Sequence, residues 1–133
     1  MDFELMFTSF PKLLEATVVT LKLLISSLFF GLIIGLLFAI LRLNKNIFIN
    51  KIAYGYSYLF RGTPLLVQIF IIYFGLGQIE YLRSTFLWVI LTEPYWCAFI
   101  AFTSNTGAYT SEILRSAFQT IKPGIIEAGK SLG

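Results

Sequence analysis

No ionisable side chain interrupts the 19 residues from Leu23 to Leu41, and Lys22 and Arg42 close the run at either end. At 1.5 Å per residue a helix of that length matches the ~30 Å of bilayer hydrocarbon, so the pattern predicts a first membrane span, placed at 17–42. A cleaved signal would have an apolar region of about 7–15 residues nearer the N-terminus and a small-residue cleavage site. Neither condition fits this run. Upstream, Phe3, Met6, Phe7, Phe10 and Leu14 recur at three- and four-residue intervals, which predicts a short amphipathic helix over 1–16 lying at the interface.

Within span 1, Ser27, Gly31, Gly35 and Ala39 fall four residues apart and line one stripe of a helix. Small side chains let a neighbouring backbone approach closely, and packing inside a bundle is the preferred reading over a dedicated dimerisation motif.

A second apolar run, Pro64 to Gly77, is 14 residues long, and length alone leaves a re-entrant segment and a span equally open. Thr63 followed by Pro64 reads as a helix cap and first helical position, so a helix running on through Gln78 to Leu82 gives span 2 at 63–82. Ahead of it Tyr54, Tyr56, Tyr58 and Phe60 form an aromatic cluster suited to headgroup level. Span 3, at 94–114, changes character midway, from apolar Tyr95–Phe102 to Thr103, Ser104, Asn105, Thr106 and Gly107. Its second half is expected to face helices or a wet cavity, with interhelical hydrogen bonding preferred to substrate contact.

Composition agrees: 57% of residues are hydrophobic, 13% are charged and the mean hydropathy is +0.81, outside the range of soluble domains. The net charge of +3 is spread over the gaps between apolar runs, so nucleic acid is not an expected partner. With one cysteine and no histidine, the usual metal sites and catalytic triads are excluded. No catalytic centre, metal or cofactor is expected of this chain. Basic residues favour the cytoplasmic side of span ends. Arg42 ends span 1, Lys45, Lys51 and Arg61 lie in the 43–62 connection, Arg83 alone lies in the 83–93 connection, and Arg115, Lys122 and Lys130 follow span 3. The N-terminus is therefore expected outside, with 43–62 and the 115–133 tail cytoplasmic.

In the tail, Pro123-Gly124 should separate two short helices. Gly124 to Ser131 also matches the nucleotide P-loop pattern, but a P-loop needs a strand before it and an α/β domain around it. Here a helix and a proline precede it, so the ATPase reading is rejected.

Three stretches carry a family resemblance. Phe60-Arg61-Gly62-Thr63-Pro64-Leu65-Leu66-Val67-Gln68 with Tyr73-Phe74-Gly75-Leu76, then Gly107-Ala108-Tyr109 through Glu112 to Arg115, then Glu127-Ala128-Gly129 with Leu132-Gly133, resemble the polar-amino-acid permeases of ATP-binding-cassette importers, whose cytoplasmic coupling loop reads Glu-Ala-Ala followed by glycine. Gly129 departs from the usual second alanine, at about 1 kcal/mol of helix propensity, and Ile126 stands where a polar residue is common.

The resemblance implies an all-α, multi-pass transmembrane bundle in a bacterial inner membrane, with three spans here and two further spans expected beyond Gly133. It implies a second permease subunit, an extracytoplasmic solute-binding protein and a cytoplasmic ATP-binding subunit that carries out the hydrolysis. Gly124, Glu127, Ala128 and Gly133 would couple to that ATPase. Arg61, Gly62, Thr63 and Pro64 would fix the cytoplasmic start of span 2, and Gln68, Asn105 and Thr106 are candidates for the translocation path. The competing reading is a non-transporting membrane subunit or a non-functional permease remnant.

Overall fold

Every regular element in the computed structural model, which describes residues 3–131, is helical. Helix α1 (Phe3–Arg42) is continuous for 40 residues, about 60 Å of helix. The interfacial segment and span 1 expected from the sequence are thus one rod, with Pro11 carried inside it.

Asn46 starts α2 (Ile47–Gly62): its side chain accepts from the Phe48 amide at 2.9 Å, filling one of the amides a helix start leaves without a partner. The helix ends where it must. Thr63 precedes a proline, whose ring disfavours the helical region for the residue before it, and Thr63 is extended at φ −115°, ψ 140°. The chain then resumes as α3 (Leu65–Phe70), a π-helical turn (Ile71–Gly75) and a 3₁₀ turn (Leu76–Gln78), at 106° to α2. The helix expected to continue to Leu82 instead breaks at Ile79, which is extended, before the short α4 (Glu80–Arg83). After α5 (Leu87–Leu91), Pro94 opens α6 (Pro94–Thr120), and α7 (Pro123–Ser131) follows a break at Ile121-Lys122.

The small-residue stripe of α1 is its buried face: Ser27, Gly31, Gly35 and Ala39 are all buried. A Cβ on Gly31 would lie 2.7 Å from Thr106 Cβ, and one on Gly35 would lie 2.5 Å from Thr110 Cβ. Both helices advance four residues between these contacts, so α1 and α6 run parallel. The opposite faces of α1, with Leu24, Ile25, Phe29, Leu32, Ile33, Leu36 and Ile40, are exposed apolar surface, as lipid-facing residues are.

Helix α2 lies across this pair. Its Tyr56 inserts between them, stacked on Phe38 at 4.0 Å and donating its hydroxyl to the Ser104 carbonyl at 2.6 Å. Half-buried Tyr56 thus packs between helices, its hydroxyl filling the space that Gly107, lacking a side chain, leaves. Tyr54 and Tyr58 do remain exposed. Ser57 and Ser111 close the same contact, hydroxyl to hydroxyl, at 2.8 Å.

Candidate functional site

The Arg61-Gly62-Thr63-Pro64 stretch is a helix break, and the residues around it answer the hydrogen bonds that the break leaves open. The last turn of α2 has carbonyls with no partner in the helix, a severe cost away from water. Thr63 Oγ1 donates to the Leu59 carbonyl at 2.8 Å. Gln68 Nε2 donates to the Phe60 carbonyl at 2.7 Å and to the Thr63 carbonyl and hydroxyl, each at 2.9 Å. Asn105 Nδ2 reaches in from α6, to the Phe60 carbonyl at 3.2 Å and to Gln68 Oε1 at 3.3 Å.

Two expectations change here. Thr63 does not cap α3 with its hydroxyl, since that group is turned back to α2, and Pro64 stands at the cap position instead of the first helical one. Gln68, 6% exposed, and Asn105 come together, with their amides committed to backbone and to each other. Thr106 lies apart from them, packed on Gly31.

At the Arg42 end of α1 a second cluster forms that the sequence did not reveal. Glu112 of α6 receives Arg115 from its own helix on Oε1, while its Oε2 lies 3.6 Å from Arg42 Nη2 and 3.7 Å from Arg61 Nη1. One carboxylate thus gathers α1, α2 and α6. Arg42 also lies over the Tyr54 ring at 4.7 Å and Arg61 over Tyr109 at 5.6 Å, contacts that offset part of the cost of enclosing cations. Arg115 Nη1 continues to Gln119 Oε1 at 2.6 Å, one turn further toward α7.

Gly124, Glu127 and Ala128 lie on α7 and are exposed; Gly133 lies outside the described residues. The P-loop-like string Gly124–Ser131 is helical, with helix α6 and no strand ahead of it, so the strand, loop and helix order that a P-loop needs is not formed here.

A protein-family model described as the binding-protein-dependent transport system inner membrane component matches residues 31–133. The chain belongs to this family. It is 46% identical over its whole length to the nopaline transport system permease protein NocM of Agrobacterium fabrum, covering 56% of that protein. It is 39% identical over 99% of its length to the octopine transport system permease protein OccM of Rhizobium radiobacter, covering 54% of it. A putative glutamine transport system permease protein GlnP of Rickettsia conorii is 38% identical over 98% of the chain, which covers 57% of it. A solved structure, described as the crystal structure of an amino acid ABC transporter with histidines, superposes with a TM-score of 0.81 at 32% identity, over all of this chain and 58% of that one. The chain therefore spans about half the length of the curated relatives it matches. It is an all-helical inner-membrane component of a family of transport permeases.

Proposed function

We propose that this chain is part of the permease subunit of an ATP-driven importer that moves polar amino acids across the bacterial inner membrane. The observation that carries this reading is the 46% identity to a nopaline permease, which extends over the whole chain without an unmatched segment. Nopaline, octopine and glutamine, the solutes in the relatives' names, all present an amino-acid carboxylate with a nitrogen-bearing side chain, and that is the substrate class proposed here.

In this reading the chain carries no catalytic centre and no cofactor of its own. A separate ATPase hydrolyses ATP, a second permease subunit completes the pathway and an extracytoplasmic binding protein delivers the solute. The N-terminus lies outside, and α7 projects into the cytoplasm. Its exposed residues Gly124, Glu127 and Ala128 support a role for α7 as a lever held by the ATPase, with Gly133 continuing the loop. Rigid-body transmission of this kind needs a stiff connection between partner and spans, and the 27 residues of α6 offer one. Gln68 and Asn105 serve the path by holding the bend at the start of span 2, and Thr106 by holding α6 on α1.

The test uses the complete permease, reconstituted in proteoliposomes with its ATPase and binding protein. Wild type should take up a polar amino acid and hydrolyse ATP faster when loaded binding protein is present. Glu127→Ala should lose most of both while the subunits still co-purify. Unchanged uptake and stimulation in an assembled Glu127→Ala complex would remove the coupling role, and a wild-type complex that carries no amino acid would remove the importer reading.

A further inference from the structure

The Glu112 cluster holds more positive charge than it can neutralise. Three guanidinium groups surround one carboxylate; Arg115 occupies Oε1, and Arg42 and Arg61 share Oε2 at 3.6 and 3.7 Å, too far for a short charge-assisted hydrogen bond. The Arg42 side chain is only 10% exposed, and among the described residues its Nε and Nη1 meet no acceptor. A buried cation without a full partner is costly. The tyrosine faces over Arg42 and Arg61 return only part of that cost.

Beside these groups a cavity of about 320 Å³ opens between α1, α2 and α6, lined by Arg42, Tyr54, Ser57, Tyr58, Arg61 and Glu112. Arg61, 41% exposed, is among the residues that line it, while the enclosed nitrogens of Arg42 act through their charge. We propose that this cavity binds the phosphate of an anionic lipid headgroup.

Position favours a lipid over a free anion. Arg42 closes the long apolar run of α1, so the cavity sits where hydrocarbon gives way to headgroups. Tyr54 and Tyr58 stack at 5.8 Å with exposed rings, an amphipathic wall of the kind that lines headgroup level. Lys45 and Lys51 on the same connection add to the positive potential that draws anionic lipid to a membrane surface. A soluble phosphate would find the charge but would leave the exposed Tyr54 and Tyr58 rings against water.

The experiment is native mass spectrometry of the complete, delipidated permease titrated with phosphatidylglycerol, with phosphatidylcholine and with inorganic phosphate. Phosphatidylglycerol should be retained in preference to phosphatidylcholine. Arg61→Gln should weaken that retention about fivefold, the weight of one basic residue at an anionic surface, and Arg61→Lys should restore most of it. Should Arg61→Gln fail to assemble, wild type decides alone. Displacement of retained phosphatidylglycerol by millimolar inorganic phosphate, with phosphatidylcholine unaffected, supports the site. Equal retention of the two lipids overturns it, as expected if a carboxylate from another part of the complete protein fills the cavity. Phosphate binding without phosphatidylglycerol preference overturns the lipid assignment. Retention indifferent to Arg61→Gln overturns the placement. Each readout is independent of transport, so the site can fail while the importer reading stands.

Discussion

Asn105 and Gln68, 37 residues apart, meet at the carbonyl of Phe60, which both side-chain amides share. A polar pair that would otherwise be read as a solute contact thereby ties α6 to the bend between α2 and α3. Gln68→Leu should destabilise the complete permease by about 1–3 kcal/mol, because it leaves the Phe60 and Thr63 carbonyls short of donors. Asn105→Leu should cost less, since it supplies one bond to each acceptor at longer range. A double-mutant cycle in denaturant unfolding should give a coupling of about 0.5 kcal/mol or more; strictly additive losses would show that the two amides act separately.

Glycines in this chain divide by what faces them. A Cβ on Gly35 would meet Thr110 Cβ at 2.5 Å and the Gly107 carbonyl at 3.1 Å, so Gly35→Ala should push α1 from α6 and lower the thermal midpoint, and Thr110→Ala or Thr110→Ser should recover part of the loss. Gly55, inside α2, has nothing within 4 Å of such a Cβ. There Gly55→Ala should be neutral or stabilise by up to about 1 kcal/mol through helix propensity. Equal effects at the two sites would refute the packing argument.

Removing only the hydroxyl of Tyr56 separates its two roles. Tyr56→Phe keeps the stack on Phe38 and forfeits the bond to the Ser104 carbonyl, for about 1 kcal/mol. Tyr56→Ala empties the space between α1 and α6 and should cost about 3–5 kcal/mol. Unfolding midpoints of the two variants check the order.

Glu112 is the carboxylate on which three arginines converge, and its side chain is 23% exposed. Glu112→Gln leaves those cations facing one another. It should destabilise more than any single arginine-to-glutamine change at Arg42, Arg61 or Arg115, and high salt should narrow the gap by screening the repulsion. A Glu112→Gln loss no larger than that of Arg115→Gln would argue that the cluster has no shared centre.

The legible parts of this fold were those carried by short-range pattern. Leu23 to Leu41 declares a span by length and lack of charge, and the four-residue spacing of Ser27, Gly31, Gly35 and Ala39 marks the buried face of α1 before any partner is known. Thr63-Pro64 announced a discontinuity, because a proline constrains its own neighbour, but not that Thr63 would turn its hydroxyl back to Leu59. That Tyr56 packs between helices was not legible because a half-buried and an exposed tyrosine read alike in sequence; Gly107, on another helix, leaves the space that sets Tyr56 apart from Tyr54 and Tyr58. The Arg42, Arg61 and Glu112 cluster joins residues from three helices, and its geometry depends on a register that no local signal encodes. Gln68, Asn105 and Thr106 were singled out because polarity in hydrocarbon demands a partner; the partners found are backbone carbonyls and a glycine face.

Threonine methyls seated against bare glycine backbone leave α1 and α6 almost no room to slide past one another. A displacement applied at the foot of α6 would therefore be handed to the entire 40-residue rod of α1, so that the two behave as a single beam, whereas the stretch beyond Pro64, joined through a sharp corner and a π-helical turn, is where the assembly can bend.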